Sequence, residues 1–303
     1  MEGGSRRAII AAFLANLGIA VAKFTGFLLT GAASMLAEAV HSVADTSNQG
    51  LLLLGSARAR RDPTPEHPFG YGRERFFWGF VVALVIFSLG SLFALFEGEE
   101  KLRHPHELGS VPIAVAILVV AIVAESLSLR TAIRESRGAK GAGTWWEFIR
   151  RAKVPELPVV LLEDTGALIG LGFALIGLAL AEITGDPRWD AAGSVAIGVL
   201  LFAIAVTLII EMKSLLIGES ATPRERQAIR DAIEGHPSVR RLIHLRTEHL
   251  GPEEILVGAK IELDAALDTA GVAGEIDDVE RAIRGAVPSA RVIYLEPDVF
   301  RPA

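Results

Sequence analysis

"LAEAVHSVADTSNQ", residues 36–49, lies between two apolar stretches, "FTGFLLTGAASM" (24–35) and "GLLLLG" (50–55). Read as one helix, the stretch puts His41 and Asp45 on a single face, because residues four apart are neighbours on a helix surface. Asn48 follows one turn further along nearly the same face. An ionised Asp at the centre of a membrane helix costs about 2.5–3.5 kcal/mol on insertion scales, so such residues face a cavity or a partner. An i, i+4 pair of imidazole and carboxylate is also the spacing with which two side chains grip one ion.

The surrounding chain supports a membrane setting. Its 303 residues are 51% hydrophobic, and the mean hydropathy is +0.42, which is high for a soluble domain. The apolar residues come in blocks near the ~20 residues that cross a bilayer. The blocks run over 8–30, 34–57, 76–97, 110–131, 156–182 and 189–217. The expected architecture is a six-helix transmembrane domain over 1–217 and a small cytoplasmic domain over 218–303. There are no cysteines, which excludes disulfides and thiolate metal sites. A net charge of −6 argues against nucleic acid as a partner. "MEGGSRRAII" lacks the layout of a cleaved signal peptide, so the first block is expected to stay as an anchor.

Charge sets the expected orientation. Arg6, Arg7 and the arginine-rich connections 57–76 and 131–155 fall on one side, and the positive-inside rule makes that side cytoplasmic. Both termini are then inside. Within the second of these connections, "WWEFIRRAK" (145–153) sets Trp145, Trp146, Phe148 and Ile149 beside Arg150, Arg151 and Lys153, which suits a helix lying flat in the inner interface; the alternative is a short helix that stiffens the loop.

The fifth block supplies adjacent acids, Glu163 and Asp164, in "PVVLLEDTGALIG" (158–170). At 1.5 Å rise per residue, Asp164 and Asp45 come to depths agreeing within roughly 5 Å. His41, Asp45 and Asp164 together form a candidate divalent-cation site whose donors suit Zn²⁺ first, then Mn²⁺ or Fe²⁺. Adjacent helix residues point about 100° apart, so Glu163 and Asp164 cannot both aim at one ion. The competing readings are a His hydrogen-bonded to a neighbouring helix and an Asp paired with Lys23. Glu38 and Glu125 are read as helix-to-helix hydrogen-bonding groups.

With "SMLAEAVHSVAD" (34–45), "EHPFGYGRER" (66–75) and "DAAGSVAIGVLL" (190–201), the chain resembles the cation diffusion facilitator family, solute carrier family 30. The resemblance covers nearly the whole length. It implies a homodimeric exporter of divalent metal, commonly zinc, exchanged for protons. It implies ligands at His41, Asp45 and Asp164, and a fourth ligand at the position held here by Val160. Asn48, Glu163 or a water would then complete the coordination. His41 and Asp45 are the expected proton-coupling residues, because protons compete for the same ligand atoms. The 2–3 loop keeps only His67 of a second metal site seen in some members; Tyr71 stands where another His would be, and Asp62 is offset. His67 is therefore read as a structural loop residue.

Residues 218–303 read as helix, strand, strand, helix, strand. Thr222, Pro223 and Glu225 make a capping box with Pro at the first helical position. Ile276, Val279, Ile283 and Val287 mark one apolar helix face. The pattern resembles the family's ferredoxin-like dimerisation domain. The positions matching its histidines read Ile243, Lys260 and Leu295, so the usual binuclear zinc site is not expected. His244 and His249 are read as surface histidines on a strand. No prosthetic group is expected, since the ion is cargo.

The working expectation is a secondary transporter exporting Zn²⁺ from the cytoplasm against protons. A manganese or iron exporter and a membrane metal sensor are the alternatives. An intramembrane hydrolase would need an open metal position and a base such as Glu163, and no protease or lipid-transferase motif accompanies it. The expected home is a bacterial inner membrane.

Overall fold

A computed structural model describes residues 17–105 and 108–301. The chain falls into two compact units. One comprises the chain up to Ser56 together with Phe77–Met212; the other comprises Ala57–Phe76 and the chain from Lys213 onward.

The first unit is helical. α1 (Leu17–Thr30) and α2 (Ala33–Ala59) are joined by Gly31, whose φ of 67° favours glycine. Thr30 Oγ1 caps the break by accepting from Ala32 N at 3.2 Å. α3 (Glu74–Arg103) is interrupted by a π-helical segment, Ile86–Leu92. α4 (Val111–Lys140) starts with Pro in its first turn, where the missing N–H costs nothing. α5 (Trp145–Arg151) carries a capping box between Thr144 and Glu147. α6 (Glu156–Thr184) stops at left-handed Gly185, and α7 (Arg188–Ile217) follows after a short turn.

Among the described residues, four helices are long and apolar enough to cross a membrane: α3, α4 over Val111–Gly138, α6 and α7. α1 is shorter, 14 residues in its described part. α2 has 27 residues, ample length at 1.5 Å per residue, but its buried face carries Glu38, His41, Ser42, Thr46 and Asn48.

Small residues bring these helices close. Ser91 of α3 donates to Gly198 O of α7 at 2.9 Å, and Ser194 of α7 returns a bond to Ala94 O at 3.0 Å. A Cβ on Gly98 would lie 2.9 Å from Val195 N and 3.0 Å from Ala191 O. One on Gly177 of α6 would lie 2.9 Å from Trp189 O. Such contacts are the usual packing device of membrane helices, where small residues let backbones approach.

The start of α2 is capped from another helix. Asp190 of α7 accepts from Ala33 N at 2.6 Å and from Ser34 N at 3.4 Å, and also from Ser34 Oγ. Lys101 of α3 donates to Gly31 O. A carboxylate at a helix N-terminus satisfies orphan N–H groups and meets the positive end of the dipole.

α5 packs inward on one side. Phe148 and Ile149 are buried, packed with Ala132 of α4 and Leu161 of α6, while Trp146 is exposed. Its apolar face is therefore shared: part fills the cleft between α4 and α6, and only part is left for an interface.

In the second unit α8 (Pro223–Glu234) has the expected capping box at Thr222 and Glu225. β1 (Val239–Gly251) pairs antiparallel with β2 (Glu254–Leu263), and β2 pairs parallel with β3 (Ala290–Pro297). The parallel pairing needs a crossover, which α9 (Thr269–Ala286) supplies. Alternate residues of β2, Ile255, Val257, Ala259, Ile261 and Leu263, are buried with Ile229 and Ile233 of α8 and with Val279 and Ile283 of α9. The segment 57–76 belongs to this unit. Gly72 lies so near β1 that a Cβ there would be 2.7 Å from Leu250 O. Arg73 pairs with Glu248.

His249 corrects the sequence reading. It is 1% exposed rather than on the surface, with Nδ1 3.2 Å from Gly251 O. The end of β1 carries successive buried residues, His249, Leu250 and Gly251, so the in–out alternation that would expose it breaks down there. His244 is exposed, as expected.

Candidate functional site

The polar residues of α2 form one column. Glu38, His41, Asp45 and Asn48 are spaced i, i+3, i+7 and i+10, which keeps them on one side of a helix. Glu38, His41 and Asn48 are buried, and the Asp45 side chain is 13% exposed. His41 Nε2 stands 3.5 Å from Asp45 Oδ2.

Neighbouring helices bring partners to both ends of this column. From α1, Lys23 Nζ donates to Glu38 Oε2 at 3.0 Å and to Ser42 Oγ at 2.8 Å. From α6, Glu163 Oε1 accepts from Asn48 Nδ2 at 2.6 Å. Asp164 accepts instead from Ser128 of α4 at 2.8 Å. The two adjacent acids of α6 thus split between neighbours, as their angular separation demands: Glu163 meets α2, and Asp164 meets α4. Lys23 pairs with Glu38, the helix-to-helix role read for that acid, and not with Asp45. Val160, where the resemblance places a fourth ligand, packs among apolar side chains.

The middle of the column has an unusual property. Among the described residues, His41 Nδ1, His41 Nε2, Asp45 Oδ1 and Asn48 Oδ1 are buried without a hydrogen-bond partner, and so is Glu38 Oε1. A buried polar atom left unmatched costs about 1–3 kcal/mol, and such groups call for an explanation. All are lone-pair donors, apart from whichever imidazole nitrogen carries the proton, and all lie on one face of one helix. That donor set fits a cation with nitrogen and oxygen preferences.

His41, Asp45 and Asp164 do not close into a compact triad in this conformation. Among the described residues, one group of three His, Asp or Glu has its ligand atoms all within 4.8 Å: His236, Glu275 and Asp278. Sequence reading missed it, because it joins the end of α8 to a distant turn of α9. Its members are already engaged: His236 Nδ1 is 2.8 Å from Ser238 Oγ, and Asp278 is 2.7 Å from Arg281.

The remaining singled-out residues make local contacts. His67 stacks on Tyr71 with ring centroids 4.6 Å apart. Its N–H donates to Thr64 O at 3.0 Å, and its own carbonyl accepts from Gly70 N at 2.9 Å. Lys260 is held by Glu296 at 2.8 Å and Asp298 at 3.1 Å. Its hydrogen bonds to those two carboxylates raise the ammonium pKa above the ordinary lysine value.

A family model described as "Cation efflux transmembrane domain" matches residues 9–217. The chain belongs to the cation efflux, or cation diffusion facilitator, family. This cation efflux protein is 34% identical over 249 residues to the mitochondrial proton-coupled zinc antiporter SLC30A9 of Mus musculus, covering 82% of this chain and 44% of that one. It is 28% identical over 286 residues to the cation-efflux pump FieF of Serratia proteamaculans, covering 94% of this chain and 90% of that pump. The chain thus spans less than half the length of the mouse relative. A variant C-terminal domain of MamM is similar to its C-terminal part at 23% sequence identity, with a TM-score of 0.24, covering 26% of this chain and 93% of that domain.

Proposed function

We propose that this cation efflux protein exports a divalent cation, Zn²⁺ in the first place, across a membrane in exchange for protons. The observation that carries the proposal is the row of unpartnered buried donor atoms on His41, Asp45 and Asn48. A cation bound there would supply the partner those atoms lack. His41 and Asp45 are assigned as its ligands from α2 and Asp164 as its ligand from α6. Glu163 and Asn48 orient each other, and either one can add an oxygen. Zinc is favoured by the imidazole and by the likeness to the mouse zinc antiporter; Mn²⁺ and Fe²⁺ are the alternatives.

The architecture proposed with it is six membrane spans, α1, α2, α3, α4, α6 and α7, followed by a ferredoxin-like domain through which two chains dimerise. Both termini lie in the cytoplasm. A bacterial inner membrane is the proposed location. Binding needs a neutral imidazole and ionised carboxylates, so protons arriving from outside displace the ion from the same atoms. An unpaired His41–Asp45 face then re-forms for the next ion. Transport requires that the inward and outward states bind the ion with different affinity.

The test is uptake of Zn²⁺ and Mn²⁺ into proteoliposomes under an imposed pH gradient. Uptake driven by the gradient is expected, and Asp45→Ala is expected to abolish it. Unchanged uptake by Asp45→Ala and Asp164→Ala would remove the site assignment. Flux indifferent to the gradient would remove the exchange and leave cation export standing.

A further inference from the structure

We infer that Lys23 is the tethered counter-cation of the transport site: its ammonium holds the Glu38 carboxylate out of the coordination sphere and keeps binding weak enough for release. The inference rests on the proposed cation site and adds a residue that sets its affinity.

Lys23 is completely buried, as is Glu38. Burying an ammonium and a carboxylate carries a desolvation penalty that a neutral pair of side chains would not incur. A charged pair is therefore a costly staple if joining α1 to α2 is its whole purpose. Its position suggests another use. Both oxygens that hold Lys23 belong to α2 within one turn of His41: Glu38 lies three residues before it, and Ser42 lies next to it. The ammonium therefore sits against the turn of α2 that carries His41.

Glu38 is also half used. Oε2 takes the lysine bond, while Oε1 is buried without a partner. Space for that oxygen is provided by Gly170 of α6, where a Cβ would stand 2.5 Å from it. A free carboxylate here, on the ligand face and within a turn of His41, would be a further ligand for a divalent ion. Five acids are carried by the helices of this region, Glu38 and Asp45 of α2, Glu125 of α4, and Glu163 and Asp164 of α6. A site so acidic would hold a divalent cation too firmly to release it. Lys23 neutralises one of the five and repels the ion.

Titration of the purified full chain with Zn²⁺ by calorimetry, paired with proteoliposome flux, tests this. Lys23→Met is expected to raise Zn²⁺ affinity by about tenfold or more and to lower the maximal flux. Lys23→Arg retains wild-type affinity. Glu38→Gln leaves the ammonium unopposed and is expected to lower affinity by about tenfold. Lys23→Met/Glu38→Gln returns affinity towards wild type. A plain staple gives the opposite pattern: Lys23→Met keeps or loses affinity, and Glu38→Gln leaves it unchanged. Either result overturns the inference. If Lys23→Met does not fold, the sign of the Glu38→Gln effect decides. Asp45→Ala is titrated alongside. Wild-type binding by Asp45→Ala marks failure of the cation site itself; its loss, with Lys23→Met unchanged, marks failure of the counter-cation alone.

Discussion

At the scale of single residues, the pair His41 and Asp45 was readable because polarity in an apolar helix is expensive and therefore informative. Asn48 carried a weaker signal, being uncharged, yet it proves to be the link between α2 and α6. Its amide nitrogen is committed to Glu163 and its oxygen is left over. Removing a group that orients a ligand set costs about 10–100-fold in metal affinity. Asn48→Ala is accordingly expected to weaken Zn²⁺ binding by at least about tenfold while leaving the protein folded, measured by calorimetric titration with circular dichroism as control. The sequence reading joins Asp164 to the α2 pair, whereas Glu163 is the acid hydrogen-bonded to α2 and Asp164 meets α4. Both lie in one tract of apolar sequence, and the choice depends on the rotation of α6 about its axis. Gly166 and Gly177 of α6 pack against α7, and Gly170 against Glu38 of α2 and Ile197 of α7; that packing leaves no local mark in the sequence.

At the scale of elements, the helices follow from apolar blocks and their breakers. The expected spans 34–57, 156–182 and 189–217 differ by a few residues at most from Ala33–Ala59, Glu156–Thr184 and Arg188–Ile217. The sequence leaves open whether α5 lies in the interface or stiffens a loop. Tryptophans beside arginines carry the same signature whether the remaining apolar side chains meet lipid or a cleft between two helices. The α3–α7 contact was also not legible, because glycines in a membrane helix do not announce their partner. Its rigidity is testable. Gly98→Val would push a side chain into the backbone of α7 near Val195 and Ala191. Overpacking of this kind costs about 1–3 kcal/mol. A clearly lowered unfolding temperature in detergent is expected, with Gly138→Val, where no neighbour stands within 4 Å, showing a smaller change.

At the scale of the molecule, the arginine-rich connection 57–76 looked like a cytoplasmic loop whose charges fixed orientation. It also packs as part of the C-terminal unit, with Gly72 against the end of β1 and Arg73 paired to Glu248. A Cβ at Gly72 collides with backbone, which cannot yield as a side-chain tip can. Gly72→Val is expected to unseat the segment. Limited trypsin digestion should then cut after Arg58, Arg60, Arg61 or Arg73 several-fold faster, by about tenfold if local opening costs fall by 1.4 kcal/mol. Equal digestion rates would show that the segment is held elsewhere.

The cap that Asp190 places on α2 has a kinetic meaning. The turn between α1 and α2 is two residues long, and Lys23 ties the two helices together by their side chains, so α1 and α2 are expected to move as one hairpin. If that hairpin swings away from α7 in each cycle, the hydrogen bonds from Ala33 and Ser34 to Asp190 must break. The amide protons of Ala33 and Ser34 become a clock. Their deuterium exchange should quicken when Zn²⁺ and a pH gradient drive turnover, and Asp190→Asn should make it fast at rest. Counting exchanged amides against ions moved would give the number of openings per ion, a mechanical gear ratio read from two backbone nitrogens.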